Sequence, residues 1–413
     1  MIRELFAVFG RIGLLSFGGP AAQIALMHKE LVEQRGWLTE AQYLRALSFC
    51  MLLPGPEAMQ LATYVGWRKH GIVGGLVGGG LFVLPGAILI AILALAYGSY
   101  GNLPAVQALF LGVKATVVVI VIQALIKISR KALTSRANLV IAGAAFVALF
   151  FFALPFPLVV LVAGLIGAAG SHEPAVQTQI PTGSLGRSMR VIIIGGLLWA
   201  APFGIIIWAD SPFLMDVGLF FSTLAVVTFG GAYAVLAYMT QEVVVTFGWL
   251  STAQMMDALG LAETTPGPLI LVTQFVAMIT GLAEEGIGMA FAAAAVSLWV
   301  TFVPCFIWIF AGAPLIDWLD GRPRLRGALT AITAAVVGVI ANLSLWFAIH
   351  VFFSEVDPIK LGPIQSILPN FQSWQADAFI LGLIAAALLL GRKWSLGAVL
   401  GTCACLSFTL SLF

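Results

Sequence analysis

Hydrophobic residues in this chain form long runs separated by short polar connections, a pattern typical of helices that cross a lipid bilayer. About 18 to 20 consecutive apolar residues are needed for one crossing. Such segments are predicted at roughly 4–27, 43–66, 72–98, 104–127, 137–153, 155–170, 190–209, 213–240, 253–282, 286–311, 326–351, 376–391 and 394–412. The pattern therefore predicts an all-α polytopic membrane protein of about 13 segments.

Three short motifs occur twice, each time 212 positions apart, so the chain is predicted to be a duplication. The motifs Phe17-Gly18-Gly19, Gly36-Trp37-Leu38 and Pro54-Gly55-Pro56 recur as Phe229-Gly230-Gly231, Gly248-Trp249-Leu250 and Pro266-Gly267-Pro268. This register divides the chain into a first repeat at 1–170, a linker with an extra transmembrane helix at 171–212, and a second repeat at 213–413.

The extra helix makes the number of crossings between equivalent segments odd, which predicts that the two repeats are inverted in the membrane. Basic residues fall on alternate loops, at Arg68, Lys69, Lys127, Arg130, Lys131, Arg136, Arg187, Arg190, Arg322, Arg324, Arg326, Arg392 and Lys393. The positive-inside rule then places the N-terminus in the cytoplasm and the C-terminus outside. The charged stretch 28–35 breaks this rule. The segments 3–34 and 39–67 therefore either span the membrane or form re-entrant hairpins that return to the side from which they entered.

Composition supports the membrane assignment and excludes several classes of function. Charged residues make up 9% of the chain and hydrophobic residues 61%, whereas soluble domains have about 25% charged residues. The net charge of +2 includes no basic arm, so nucleic acid is not an expected partner. No grouping of His, Cys, Asp and Glu resembles a catalytic or metal site, and we expect neither an enzyme nor a cofactor or metal.

The repeated Gly and Pro motifs predict interrupted helices. Two glycines permit unusual dihedral angles, and Pro20 suits the first turn of a helix that starts again. Such a helix start has free N–H groups and a partial positive charge, which makes it an anion site. Gly and Pro also kink membrane helices simply for packing, but their matched positions in two repeats favour a binding site.

Ionisable residues within apolar segments need a partner or a function because each costs free energy in the bilayer. They are Arg45, Glu57, Lys114, Asp257 and Glu263. Lys114 is interpreted either as a counter-charge for an anion or as half of a packing salt bridge with Glu57 or Glu263. Arg45, Glu57 and Glu263 are candidates for proton or charge coupling.

The candidate substrate-binding residues combine the helix breaks with nearby polar side chains that donate hydrogen bonds. They are Ser16, Gly18, Gly19, Pro20, Gln23, Pro54, Gly55, Pro56, Glu57, Gln60, Lys114, Thr228, Gly230, Gly231, Thr265, Pro266, Gly267 and Pro268.

The run Ser16-Phe17-Gly18-Gly19-Pro20, the Gly36-Trp37-Leu38 motif and the run Pro54-Gly55-Pro56-Glu57-Ala58-Met59-Gln60 resemble the long, two-domain form of the chromate ion transporter family. The resemblance implies homologous halves of opposite orientation and export of chromate from the cytoplasm across the inner (plasma) membrane, giving chromate resistance. Sulfate is a structural analogue of that substrate. The copies differ, because Pro20 and Glu57 correspond to Ala232 and Leu269, which predicts an asymmetric site.

We therefore expect a secondary transporter that exports chromate by alternating access. No nucleotide motif is present, so an ion gradient would supply the energy. Transport of sulfate or another oxyanion and a passive anion channel remain the alternatives. The bilayer is the expected surrounding, and the sequence leaves the oligomeric state open, a homodimer included.

Overall fold

A computed structural model describes residues 2–17, 19–170, 184–229, 232–316 and 322–412. Its helices are α1 (Ile2–Leu15), α2 (Gly19–His28), α3 (Glu40–Leu52), α4 (Glu57–Tyr100), α5 (Pro104–Ala132), α6 (Arg136–Phe150), α7 (Phe156–Gly170), α8 (Ser184–Trp208), α9 (Pro212–Val227), α10 (Ala232–Gln241), α11 (Thr252–Thr264), α12 (Val272–Glu285), α13 (Ile287–Gly312), α14 (Pro323–Phe352), α15 (Ala376–Ala386) and α16 (Leu396–Leu410). Short π-helical turns extend α2, α10 and α15, at Lys29–Gln34, Glu242–Thr246 and Ala387–Gly391. The all-helical prediction is correct in its main feature.

Within the described residues, five helices are long and apolar enough to cross a membrane: Glu57–Tyr100, Pro104–Ala132, Leu185–Trp208, Ile287–Leu315 and Pro323–Phe352. The remaining apolar helices have 10–17 residues. The total of about 13 segments and the inversion of the repeats stay predictions. A short antiparallel hairpin of β1 (Val356–Leu361) and β2 (Ile364–Pro369), which the sequence pattern did not predict, follows α14.

The chain forms two compact units, and each predicted repeat contributes to both of them. The first unit, which we call the break unit, contains 1–95, 172–235 and 265–326. The second, which we call the α5 unit, contains 96–171, 236–264 and 327–413. The stretch 171–183 of the predicted linker lies outside the described residues.

Helices α1 and α2 form a hairpin, because ion pairs join residues that lie far apart in sequence. Arg35 Nη1 lies 3.9 Å from Glu4 Oε1, and Arg11 Nη1 lies 3.6 Å from Glu30 Oε1. A continuous helix would separate Glu4 from Arg35 by about 46 Å. The chain therefore reverses direction between α1 and α2, and the hairpin alternative is the geometry of this segment.

Helix α3 and the first arm of α4, residues 57–70, form a second hairpin in the same unit. The Lys69 ammonium lies 5.1 Å from the ring centre of Trp37, and the rings of Phe49 and Tyr64 are 6.3 Å apart. His28 links the two hairpins through a 2.7 Å contact from its Nε2 to Glu40 Oε2, and this hydrogen bond raises the pKa of His28.

Helix α4 reverses again at His70 and Gly71, whose backbone is not helical. Its two arms pack through glycines. A methyl group on Gly74 would overlap the Gly66 carbonyl oxygen, and one on Gly78 would lie 2.6 Å from the Ala62 carbonyl oxygen. The glycine run at 74–80 therefore serves close helix packing, as membrane helices often require.

We expect Gly74→Ala to destabilise the protein by about 1–3 kcal/mol, because the added methyl group forces two backbones apart. Thermal unfolding of the purified protein in detergent measures the loss. Gly80→Ala is the matched control, because nothing lies within 4 Å of a methyl group at that helical position. Alanine there is expected to be neutral or slightly stabilising. Equal effects of the two substitutions would contradict the packing role.

The second repeat reproduces the local features of the first. Thr39 and Gln42 form a capping box at the start of α3, and Ser251 and Gln254 form the same box at the start of α11. Gly36 and Gly248 have φ values of +59° and +63°. Gly286, with a φ of +83°, separates α12 from α13 as Gly71 separates the two arms of α4. Matched sequence therefore gives matched backbone.

Helix α8, the predicted extra helix, packs antiparallel on α13 in the break unit. Ser188 Oγ donates to the Ala311 carbonyl oxygen, and Trp199 Nε1 donates to the Val300 carbonyl oxygen. The outer face of α8 is strongly exposed, with Trp208 at 87% and Leu197 at 70%, as expected for a helix surrounded by lipid.

The α5 unit is built around α5, which contacts α11, α15 and α16. A methyl group on Gly112 would overlap the Cys403 carbonyl oxygen, so α5 and α16 also meet backbone to backbone. The β-hairpin lies in this unit, where the Gln365 N–H donates to the Phe151 carbonyl oxygen in the turn between α6 and α7.

Candidate functional site

The structure interrupts the helices at the predicted places, and the interruptions are joined in pairs within the break unit. The Gly267 N–H donates to the Ser16 carbonyl oxygen over 3.0 Å, and the Gly55 N–H donates to the Thr228 carbonyl oxygen, also over 3.0 Å. Ser16 corresponds to Thr228, and Gly55 to Gly267, in the repeat register. Each repeat thus supplies one donor and one acceptor to the other, in a reciprocal contact.

The helices around the breaks also make reciprocal contacts between the two repeats. A methyl group on Gly86, in α4, would overlap the Pro266 carbonyl oxygen, and one on Gly55 would lie 2.8 Å from Cys305 Sγ, in α13. The second repeat's break thus packs on a helix of the first repeat, and the first repeat's break on a helix of the second.

The breaks lie at a depth that suits a membrane transporter. Ser16 is twelve residues beyond Glu4, which corresponds to about 18 Å of helix. The hydrocarbon core is about 30 Å thick, so a hairpin whose charged ends lie at the membrane surface places its turn near the midplane.

Buried polar side chains fix the first break. Gln23, 1% exposed, donates from Nε2 to the Gly267 carbonyl oxygen over 2.6 Å and to the Ser16 carbonyl oxygen over 3.2 Å. The hydroxyl groups of Ser16 and Thr228 donate to the carbonyl oxygens four residues earlier, Ile12 and Leu224. These two hydroxyls are buried at equivalent places.

Gln60 fixes the second break. Its Nε2 donates to the Pro54 carbonyl oxygen over 2.7 Å, and its buried Oε1 has no hydrogen-bond partner. Pro54, Gly55 and Pro56 are buried, as are Thr265, Pro266, Gly267 and Pro268.

Glycine is required at both Pro-Gly-Pro motifs, because φ is +110° at Gly55 and +90° at Gly267. Their own N–H groups are already hydrogen-bonded, so these two groups are not the anion donors. The N–H groups at the start of the following helices remain as candidate donors. They lie in the first turn of α4, which begins at Glu57, and in the 3₁₀ turn Leu269–Leu271 that leads into α12.

The candidate coupling residues nearest these breaks in sequence are Arg45 and Glu57 in the first repeat and Glu263 in the second. Glu57, which is partly exposed, is the first residue of α4. Arg45 lies on the exposed face of α3. Gly19, with a φ of +74°, begins α2, and Pro20 follows it. Gly18, Gly230 and Gly231 lie outside the described residues.

Lys114 belongs to the α5 unit, and its ion-pair partner is Asp257. Nζ of Lys114 lies 2.9 Å from Asp257 Oδ1, and the Tyr97 hydroxyl donates to Asp257 Oδ2 over 2.6 Å. Asp257 is a partner that the sequence did not predict, and the pairing of Lys114 with Glu57 or Glu263 stays a prediction. Glu263, on the same helix as Asp257, is also buried, at 3% exposure.

The sequence pattern does not indicate Tyr97 or Cys305 as residues of a site. A lone tyrosine or cysteine in an apolar segment carries no distinguishing pattern. One feature of the sequence could have indicated a role for Tyr97. It lies about one turn before the loop at 101–103, where a hydroxyl group can reach a charged neighbour.

These features define a polytopic helical membrane protein in which two related halves meet at matched helix breaks. The profile of the chromate transporter family matches residues 3–168 and again residues 215–408. The chain belongs to the chromate transporter family, and this confirms the resemblance indicated by the motifs.

Named relatives align along most of the chain. A chromate transport protein of Cupriavidus metallidurans is 30% identical over 394 residues, which cover 94% of each chain. A probable chromate transport protein of Synechococcus elongatus is 29% identical over 83% of each chain. A chromate transport protein of Pseudomonas aeruginosa is 29% identical over 94% of this chain and 91% of its own. No solved structure matches the chain.

Proposed function

We propose that this protein is a secondary transporter that exports chromate from the cytoplasm across the plasma membrane. Membership of the family and the names of three relatives support the substrate. The reciprocal hydrogen bonds between the two pairs of helix breaks are the observation that carries the mechanism.

In this proposal the anion binds at the N–H groups of the first helical turns after the breaks. The first turn of a helix has N–H groups without an intrahelical partner, and it carries a partial positive charge of about half an elementary charge. Pre-organised donors of this kind suit a tetrahedral oxyanion, whose oxygens accept from several directions. The Glu57 carboxylate lies at one of these helix starts and competes with the anion for it while charged.

The duplication supports alternating access. Two copies that exchange equivalent contacts are related locally by a two-fold operation, and inverted copies rocking about a central site are a general transporter design. The N-terminus is then cytoplasmic and the C-terminus external, as the loop charges predict. The membrane potential favours export, because moving a dianion through 100 mV changes its free energy by about 4.6 kcal/mol.

Uptake of radiolabelled chromate into inside-out vesicles tests the proposal. Vesicles that contain the protein are expected to accumulate chromate when energised, and excess sulfate is expected to compete. Empty vesicles give the background. Absence of chromate flux under every condition would refute the substrate.

Two alternatives give different results in the same vesicles. A sulfate transporter accumulates labelled sulfate and ignores chromate. A passive channel lets chromate equilibrate without an obligatory binding step. Unlabelled chromate on the far side therefore does not accelerate the uptake of labelled chromate through a channel, whereas it does so in a transporter that exchanges one anion for another.

A further inference from the structure

Lys114, Asp257 and Tyr97 form a buried cluster that the family assignment does not explain. Asp257 is 0% exposed, and the side chain of Lys114 is 11% exposed. The Lys114 ammonium lies at ion-pair distance from Oδ1, which has no aligned hydrogen-bond donor, and Oδ2 accepts from the Tyr97 hydroxyl. All three residues belong to the α5 unit.

Helix α5 is long and apolar enough to cross a membrane, and such a crossing places the cluster deep in the bilayer. Lys114 is ten residues beyond Pro104, the first residue of α5, which corresponds to about 15 Å. That is half the thickness of a hydrocarbon core of about 30 Å. The ammonium group is therefore near the midplane, and an ionisable residue in that position marks an ion or proton pathway by default.

The cluster lies next to the loop between α4 and α5. Gln107 Nε2 donates to the Gly101 carbonyl oxygen over 2.6 Å, and the Gly101 N–H donates to the Tyr97 carbonyl oxygen over 2.7 Å. Asn102 and Leu103, in the same loop, are exposed. Tyr97, whose hydroxyl group donates to the carboxylate, is thus about one helical turn from water at this loop.

Stability alone does not account for the pair. Replacing a buried ion pair by apolar residues of similar volume is often neutral or stabilising, and α5 has no other charged residue between Pro104 and Ile126. The residues that follow Lys114 in α5, 115–121, are all buried and uncharged. The charges are therefore best explained by an exchange of partners.

We propose that Asp257 is a proton-exchange residue and that it yields Lys114 to a substrate oxyanion whenever it takes a proton. The proton comes from water at the loop 101–103 and converts the carboxylate to the neutral acid. The Lys114 ammonium keeps its own proton, and an oxyanion oxygen replaces Asp257 Oδ1 beside it. No covalent bond to the substrate forms.

The charges around Asp257 make this exchange a cooperative one. The described titratable groups that meet it are Lys114 on α5 and Tyr97 at the end of α4. Glu263 lies six residues along its own helix, and Glu242 lies on the neighbouring π-helical turn. A dianion binds beside Lys114 only when the competing carboxylate is neutral, so the proton and the oxyanion bind together.

One consequence concerns the driving force. A dianion that travels with one proton carries a net charge of −1, which halves the contribution of the membrane potential to about 2.3 kcal/mol per 100 mV. Export is then driven by the membrane potential and opposed by acid outside. This inference rests on the proposed function, since it assumes that an oxyanion is the substrate.

The test is proton uptake by the purified protein when sulfate or chromate is added in weakly buffered detergent solution. Sulfate stays a dianion through the neutral range, so its own protonation does not interfere. The wild-type protein is expected to take up one proton per anion, and its affinity to rise up to tenfold for each unit that the pH falls. The Asp257→Asn variant is expected to bind the anion without proton uptake and without pH dependence.

Controls separate folding from coupling. Asp216→Asn, which removes an exposed carboxylate of α9, is expected to behave as wild type. Tyr97→Phe keeps the ion pair and removes one hydrogen bond to the carboxylate, so its pH dependence is expected to move to higher pH with proton uptake retained.

The outcomes distinguish the two proposals. Anion-induced thermal stabilisation without proton uptake in wild type would overturn the inference alone, as would loss of uptake in Glu57→Gln or Glu263→Gln with uptake intact in Asp257→Asn. If neither anion stabilises the wild-type protein, the proposed substrate class is wrong, and the inference falls with it.

Discussion

Replacing either Gly55 or Gly267 by alanine is expected to abolish transport while the protein still reaches the membrane. Both residues have φ values, +110° and +90°, that cost an alanine about 1–3 kcal/mol. A methyl group on Gly55 would also lie 2.8 Å from Cys305 Sγ. Relief of this strain would pull the N–H groups away from Thr228 and Ser16 and misplace the helix starts that follow. Chromate flux in vesicles, normalised to the amount of protein, measures the effect.

Gly36→Ala and Gly248→Ala are the matched controls. These glycines also have positive φ values, +59° and +63°, but nothing lies within 4 Å of a methyl group at either position. The controls are expected to lose some stability and to keep transport. If all four variants lose transport equally, general backbone strain rather than the paired breaks is responsible. A larger loss in Gly55→Ala than in Gly267→Ala would support the asymmetry predicted from Glu57.

Lys114→Met is expected to destabilise the protein by about 3–5 kcal/mol, because it leaves the fully buried Asp257 carboxylate without its counter-charge. The double variant Lys114→Met/Asp257→Asn is expected to recover most of this loss, since no uncompensated charge remains. Thermal unfolding in detergent at neutral pH measures both. The single variant is also expected to be less destabilised at low pH, where the isolated carboxylate takes up a proton.

Lys127→Met provides the control on the same helix, because Lys127 is exposed near the end of α5. Its loss is expected to be within about 0.5 kcal/mol. A double variant that is no more stable than Lys114→Met alone would show that Lys114 contributes through its apolar stem and not through the ion pair.

The helix breaks could be predicted from sequence because their requirement is local. A glycine between two prolines restricts helix formation whatever surrounds it, and the same motif in two repeats reports the same backbone twice. The capping boxes at Thr39 and Ser251 are local in the same way. Their residues are three positions apart, so no knowledge of the packing is needed to identify them.

The pairing of charges could not be predicted in this way. Lys114 and Asp257 are distant in sequence, and nothing near Lys114 distinguishes Asp257 from Glu57 or Glu263 as its partner. The reversal between α1 and α2 was equally open, because the charged stretch 28–35 fits a hairpin or a break in the loop-charge rule. The ion pairs of Glu4 with Arg35 and of Arg11 with Glu30 show a hairpin, and they exist only once the two arms are packed.

The reciprocal bonds at Ser16 and Gly267, and at Thr228 and Gly55, mean that neither half is complete alone. A single repeat would carry an unsatisfied N–H and an unsatisfied carbonyl at the depth of the lipid tails, where each such group costs several kcal/mol. It could satisfy them only by joining a second copy of itself. Fusing the copies in one chain guarantees the partner and frees each copy to change independently. Glu57 on one side and Leu269 on the other record that divergence, which an obligate pair of identical chains could not accumulate.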